Sequence, residues 1–373
     1  MKTYTYKVGI LLMAFLAACS KSGSEPIDSE NPTNTLSDYT ILLDVTGSLT
    51  TVNLQATEDD LILKSGDIEF PPFSNSATTF ANGNTYSFFE VSEDCNGQVL
   101  VFNFETGSYM LIETFLNLEA CNLEVTSVSH DTSNAFLTFI KSEIGKEDSY
   151  FVRIIDLNNT ENQIDVPLDL KPQNAVPSNG RLFVLTHDEE VTDENGISVI
   201  EIEQQSMIYE KLIGFNAKKI FKDPNGNIVI SYPELHTTMD SNTFEEIYTQ
   251  YGENIRPNLY QSVYSIFDTN GQLYYTMNTE DGAGKNPAVY DFSANKATLY
   301  FFENFLSNEQ LTQLNIQSAT AIAYDGENNH IIIGFAKNNG IGNGGILRIT
   351  PTPDFSYIDA IDLEGVPKAI VVQ

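Results

Sequence analysis

Four histidines, a set of acidic loops, one glycine-rich run and three cysteines are the residues of this 373-residue chain that could do chemistry. His130, His187, His236 and His330 stand far apart, without the His-Glu-x-x-His spacing of a zinc helix, so each reads as a turn or core histidine. Gly340-Ile341-Gly342-Asn343-Gly344-Gly345 is a literal G-x-G-x-x-G. A dinucleotide site needs such a run to open a helix whose N-terminus receives the pyrophosphate. Here Ile346-Leu347-Arg348-Ile349 follows, then Pro351 and Pro353, and the run reads as a loop before a strand. Gly284-Lys285 lacks the spacing and the hydroxyl of a phosphate loop, and no Gly-x-Ser-x-Gly elbow marks a nucleophilic serine.

The acidic loops supply the remaining candidates. Asp188-Glu189-Glu190, Asp193-Glu194-Asn195 and Glu280-Asp281 are rich in carboxylates, and Lys285-Asn286, Lys337-Asn338-Asn339 and Arg256 with Tyr260 fall in comparable connections. Together with Tyr232 and Arg348, the residues Asp188, Asp193, Arg256, Tyr260, Asp281, Lys285, Asn286, Lys337 and Asn339 form the expected ligand rim. Converging carboxylate and carbonyl oxygens could hold Ca²⁺, although none of these loops carries the spaced aspartates of a calcium loop. No other cofactor is expected.

Cys19 carries the clearest chemistry. Lys2 and Lys7 precede the apolar run Val8 to Leu16, which is shorter than the roughly 20 residues a membrane-spanning helix needs. Leu16-Ala17-Ala18-Cys19 then has the form of a bacterial lipobox, in which the cysteine sulfur takes a diacylglycerol before cleavage. Residues 1–18 therefore read as a lipoprotein signal peptide and Cys19 as the lipidated first residue of the mature chain. Residues 19–37, rich in Ser, Asn, Pro and Glu, read as a flexible tether. Two or three acyl chains, at about 0.8 kcal/mol per buried CH₂, hold a protein firmly on a membrane. The expected location is the outer membrane, at the cell surface or on the periplasmic face. In such an exported chain Cys95 and Cys121 are expected to form a disulfide, because they flank the open end of one hairpin.

Charge narrows the partners. Lys plus Arg number 19 and Asp plus Glu 51, a formal charge of -32. Nucleic acid is excluded, since phosphate binding needs clustered cations to release counterions; no run of Lys or Arg occurs.

What positions these residues is a repeat. A turn phrase recurs in Asn82-Gly83-Asn84, Asp131-Ser133-Asn134, Ser178-Asn179-Gly180, Pro224-Asn225-Gly226, Thr269-Asn270-Gly271 and Gly326-Asn328-Asn329, each followed by an apolar run and a hairpin. One short strand precedes each turn: Ala77–Phe80, Val125–Ser129, Asn174–Val176, Ala217–Phe221, Ser262–Phe267 and Ala319–Tyr324. A seventh such strand, Lys368–Val372, ends the chain, and its three missing companions stand at the other end as Thr40–Val45, Leu49–Leu54 and Leu61–Phe70. Residues 38–373 number 336, and 336/7 is 48, the period of a four-stranded propeller blade. The expected fold is all-β, one seven-bladed β-propeller domain over 38–373, its last blade closed by the C-terminal strand and the N-terminal three. Two departures are expected: a long connection between Glu245 and Gln261, and a short helix over 307–314, where Ser307-Asn308-Glu309-Gln310 has the form of a capping box.

Asp38-Tyr39-Thr40-Ile41-Leu42-Leu43 directly after the tether, Leu49-Thr50-Thr51-Val52-Asn53-Leu54, and the split seventh blade resemble the propeller lipoproteins of Bacteroidota, which carry a domain of unknown function related to the surface-layer-like propeller group. The resemblance covers the whole mature chain. It implies a ligand-binding lipoprotein of the envelope, some of whose kin work beside TonB-dependent transporters, including in capture of ferric siderophores. It carries over no site residue. The function expected is a non-enzymatic propeller binding a small molecule, glycan or metal chelate. A metal-dependent lactonase or hydrolase propeller and a protein-docking platform are the alternatives. An anionic chelate would need Arg256, Lys285, Lys337 and Arg348 to gather locally.

Overall fold

The computed structural model describes residues 35–64, 69–252, 256–261, 264–279, 282–338 and 343–373. The expected signal peptide, Cys19, the tether up to residue 34, Asp281 and Asn339 lie outside the described residues. Residues 36–373 form one compact unit. Ser37, expected to end the tether, is instead the first residue of a strand.

Seven four-stranded antiparallel sheets make up this unit. The first blade is β4 (Thr78–Asn82), β5 (Thr85–Val91), β6 (Gly97–Asn103) and β7 (Tyr109–Thr114). The second is β8 (Leu123–His130), β9 (Asn134–Lys141), β10 (Ser149–Asp156) and β11 (Gln163–Leu168). The third is β12 (Lys171–Ser178), β13 (Arg181–His187), β14 (Asn195–Glu201) and β15 (Ser206–Gly214). The fourth is β16 (Lys219–Lys222), β17 (Ile228–Ser231), β18 (Leu235–Met239) and β19 (Glu246–Gln250). The fifth is β20 (Ile266–Phe267), β21 (Gln272–Asn278), β22 (Lys285–Asp291) and β23 (Lys296–Leu299). The sixth is β24 (Ile316–Asp325), β25 (His330–Lys337), β26 (Gly344–Ile349) and β27 (Tyr357–Leu363). The seventh runs β28 (Val366–Val372), β1 (Ser37–Val45), β2 (Ser48–Ala56) and β3 (Leu61–Leu63). The first strand of each blade is innermost and several touch the inner strand of the next blade.

Closure follows from burial. Strands apolar on both faces, such as Ile331-Ile332-Ile333, need cover on both sides, and Ile332 packs toward the seventh blade while Ile331 and Ile333 pack toward the fifth. Seven apolar clusters fill the seven junctions between successive blades, the one between the seventh and the first included. The structure is thus a closed seven-bladed β-propeller. Its zipper pairs β1 antiparallel with β28 from Tyr39↔Val372 to Asp44↔Val366, and Gln373 N donates to Asp38 O at 2.9 Å.

The recurring turn phrase has a local cause. Asp131 Oδ1 accepts from the Ser133 and Asn134 amides at 2.7 Å, Asp223 Oδ1 from Asn225 (2.9 Å) and Asn227 (2.8 Å), and Asp268 Oδ1 from Asn270 (2.9 Å) and Gln272 (2.8 Å). Each aspartate thereby satisfies the amides of its own turn, and Gly226 and Gly271 supply the left-handed residue, at φ 83° and 79°.

The helix expected over 307–314 is α1 (Asn308–Leu314), with Ser307 Oγ accepting from Gln310 N at 3.2 Å and Gln310 Oε1 accepting from Ser307 N at 2.8 Å. Cys95 and Cys121 form the expected disulfide, 26 residues apart, a loop that restricts the unfolded chain by about 3 kcal/mol. Two expectations are corrected. The connection after Glu245 is shorter than expected, because Glu246–Gln250 forms the outer strand β19 against β18. The strand expected to run to Phe70 ends at Leu63; Phe70 turns inward onto Phe102 (4.8 Å) and Phe88 (5.5 Å), and Pro71 and Pro72 after it have no amide to offer a ladder.

Candidate functional site

Two ends of the axis can be distinguished. The entry face, where the inner strands begin, carries the loops from second to third strand and the connections between blades. The turn face, where the inner strands finish, carries the tight turns from first to second strand. Both follow from the strand order.

The expected rim belongs to the entry face, and only part of it is available there. Asp188 is occupied by its own loop, accepting from Thr192 Oγ1 (2.9 Å) and the Val191 amide (3.1 Å). Asp193 lies 3.0 Å from His187 Nε2. Arg256 pairs with Glu234 at 2.9 Å and Lys337 with Asp362 at 2.6 Å. Tyr260 donates to Asn258 Oδ1 at 3.4 Å, and Asn286 stands opposite Met277 in the ladder. Tyr232 and Arg348 are corrections. Tyr232 turns its ring into the core between the third and fourth blades and its phenol is pushed up to about 12 by burial. Arg348 is 0% exposed, near the far end of β26, because its guanidinium is taken up by Asp359 (2.7 and 2.8 Å) and the Thr57 carbonyl (2.9 Å). The four cations that an anionic ligand was expected to need do not gather; three have carboxylates of their own.

A well-formed cavity opens instead on the turn face. It has a volume of about 570 Å³ and is lined by the ends of β4, β16, β20, β24 and β28, within the range of small-molecule sites. Its walls are largely apolar, from Ile266, Phe267, Ile370 and Val372, with Asn82, Lys222, Asp223 and Asp268 as polar groups. Lys222 Nζ donates to Asn82 Oδ1 at 3.4 Å, from the fourth blade across the ring to the first. Burial holds the Lys222 ammonium below the usual lysine range, and nearby Asp131 partly offsets it. Two aromatic side chains span the axis. Phe80, on the first blade, packs against the cluster between the third and fourth, and Tyr264, ahead of β20, stacks on Tyr86 of the first blade at 5.8 Å.

The inner strands differ in charge from the rest of the chain. They hold Lys171, Lys219, Lys222 and Lys368 against Glu124 and Asp325, whereas acids outnumber bases 51 to 19 overall. Asp325 is itself taken up by the blade closure. Sequence reading passed over Phe80, Asn82, Lys222 and Tyr264; the signal was Lys219-Ile220-Phe221-Lys222, two lysines flanking an apolar pair in an inner strand of an acidic protein. Among the described residues, no three His, Cys, Asp or Glu side chains gather where a metal ion could be held, and the four histidines lie in four different blades.

No family model and no curated protein matches this chain. Among solved structures, a hypothetical selenium-binding protein from Sulfolobus tokodaii is similar at 11% identity and TM-score 0.51, over 91% of this chain and 92% of that one. Apo AztD from Citrobacter koseri is similar at 11% identity and TM-score 0.50, over 91% of this chain and 98% of that one. The chain spans about half the length, or less, of some larger solved proteins it resembles, including 42% of the extracellular domain of a putative one component system from B. thetaiotaomicron, at TM-score 0.44 and 12% identity. At such identities these likenesses establish the fold, and what the chain is similar to is a propeller.

Proposed function

We propose that the protein is a non-enzymatic binding propeller of the cell envelope, which takes a small ligand into the axial cavity of the turn face. The observation that carries this is the cavity itself, a concave, mostly apolar space closed in by five inner strands with a few polar groups. In this reading Cys19 bears the acyl chains, the residues after it form the tether, and the ring stands at the outer membrane beside a TonB-dependent transporter, handing on a nutrient or metal chelate. The lipobox spacing of Leu16-Ala17-Ala18-Cys19 supports the anchor. A lactonase-type metal centre would need a carboxylate and amide cluster facing the axis; the cavity carries Asn82, Asp223 and Asp268 beside Lys222, but among the described residues no three His, Cys, Asp or Glu side chains gather where a metal ion could be held.

A thermal-shift screen of sugars and ferric chelates tests this, run on the native chain and on Ala81→Phe, which places a ring in the cavity. A true ligand at about 100 times its Kd stabilises the native chain by about 2.7 kcal/mol, a rise of about 2–4 °C for a body of this size. Ala81→Phe should abolish that rise. A ligand that shifts both chains equally would overturn the assignment of the cavity.

A further inference from the structure

A smaller cavity of about 270 Å³ lies between the fifth and sixth blades. It is lined by the β20–β21 turn, by both ends of the β22–β23 turn and by the start of the connection after β26, all of which belong to the turn face. Asp268 and Tyr324 line this side pocket and the axial cavity alike, so the two spaces share a wall. Their chemistry differs. The axial cavity is mostly apolar, whereas the side pocket is mostly polar: Asp268 and Asp291 offer acceptors, and Lys296, Thr298 and Asn329 offer donors. Lys296 is exposed and has no ion-pair partner among the described residues.

These groups are held in place by their own turns. Asp268 Oδ1 accepts from the Asn270 and Gln272 amides, and Asp291 Oδ1 accepts from the Ser293 amide (2.9 Å), the Ser293 hydroxyl (2.7 Å) and the Ala294 amide (3.0 Å). Each carboxylate is thus fixed through one oxygen. The shared wall is fixed too. Tyr324 stacks on Tyr274 at 4.9 Å, 5° from parallel, and donates to Asn329 Oδ1 at 2.8 Å, which leaves the Asn329 amide nitrogen as the donor. Both signs of charge line the pocket. A cation would meet Lys296 and an anion would meet Asp268 and Asp291, whereas a neutral group whose hydroxyls both donate and accept suits all three. A single sugar ring is such a group, and it is of a size with this pocket.

We propose, resting on the reading of the axial cavity given above, that one ligand fills both spaces: a glycoside-like molecule with an apolar body in the axial cavity and a neutral saccharide head in the side pocket. The apolar walls supply burial without direction, and the fixed polar groups of the side pocket set which head is accepted.

Calorimetric titration of the full chain with 2-naphthol and with the 2-naphthyl glucoside, galactoside and mannoside tests this. At least one glycoside should bind about 10-fold more tightly than 2-naphthol, as expected for two or more added hydrogen bonds. Thr298→Phe, which fills the side pocket, should reduce that glycoside to the affinity of 2-naphthol. Lys296→Ala, a milder change on the exposed end of β23, should weaken the glycoside about 10-fold and leave 2-naphthol unchanged. Ala81→Phe should abolish binding of both. Glycosides no tighter than 2-naphthol, or variants of Thr298 and Lys296 that weaken 2-naphthol as much as the glycoside, would overturn the two-part ligand and leave the axial cavity as a site. Failure of every probe, 2-naphthol included, or binding untouched by Ala81→Phe, would overturn the axial site and this inference with it.

Discussion

Replacing Asp325 with alanine is expected to lower the unfolding free energy by about 3–5 kcal/mol. Asp325 is fully buried at the end of β24, and its Oδ2 accepts from Ser37 Oγ (2.7 Å), Tyr39 OH (2.9 Å) and Asn328 Nδ2 (2.9 Å). Burial alone would raise its carboxyl; the hydrogen bonds from Ser37, Asn328 and Tyr39 outweigh that and hold it below the usual carboxylate range. Beside it Tyr39 is pushed upward by burial and by the Asp325 charge. Alanine would leave the Tyr39 and Ser37 hydroxyls buried without acceptors, each costing about 1–3 kcal/mol. Asp325→Asn keeps one acceptor and should cost less. Because Ser37 and Asp325 are 288 residues apart, the loss reports the seating of the N-terminal strand against the sixth blade. Urea unfolding at constant m-value measures it, and a change under about 1 kcal/mol would remove the clasp from the account.

The second large effect is acid sensitivity. His130 and His236 are each 2% exposed. His130 shares a 3.0 Å hydrogen bond with Ser87 and meets Phe80 edge-on at 5.5 Å; burial first, and the Lys222 charge second, push its pKa down to about 4. His236 sits among Phe292, Tyr251 and Tyr290, and burial pushes it down to about 4 as well. The unfolded value is about 6.5. Each neutral ring therefore contributes stability that is fully present above pH 6.5 and is lost as pH falls through 4, up to about 3 kcal/mol apiece. Unfolding free energies should drop steeply between pH 6.5 and 4.5, above the range where most carboxylates titrate. The variant His130→Phe, His236→Phe should flatten that slope, and a native profile already flat over the window would contradict the burial of both rings.

The ring was legible because its evidence is periodic. Turn phrases such as Asp223-Pro224-Asn225-Gly226 recur for a local reason, the aspartate satisfying its own turn amides, and local chemistry survives in sequence. The unmatched strand Lys368–Val372 implied its partners at the other terminus because an unpaired sheet edge in a ring must be covered. The disulfide and α1 were legible for similar reasons of spacing. The candidate site was much less so. Tyr232 and Arg348 carry polar groups that would suit a rim, yet each satisfies them in the interior, Tyr232 on the Ile213 carbonyl at 3.3 Å and Arg348 on Asp359. Which acceptor a buried polar group will meet depends on contacts across blades, such as Arg348 with Thr57, 291 residues away. The turn-face cavity escaped for the same reason, since Asn82 and Lys222 become neighbours only once the ring has closed.

Closure of the ring by its two ends is what every site described above depends on, and one cross-link tests it. Thr40 and Val371 are Cα partners across the β1–β28 pair, at the separation a disulfide bridges in antiparallel neighbours. In a full chain carrying Cys19→Ser, Thr40→Cys and Val371→Cys, mild oxidation should form a single new disulfide in the folded protein, seen as faster migration on a non-reducing gel and two further thiols protected from alkylation. Both thiols remaining open to alkylation in a folded, oxidised sample would contradict the closed ring.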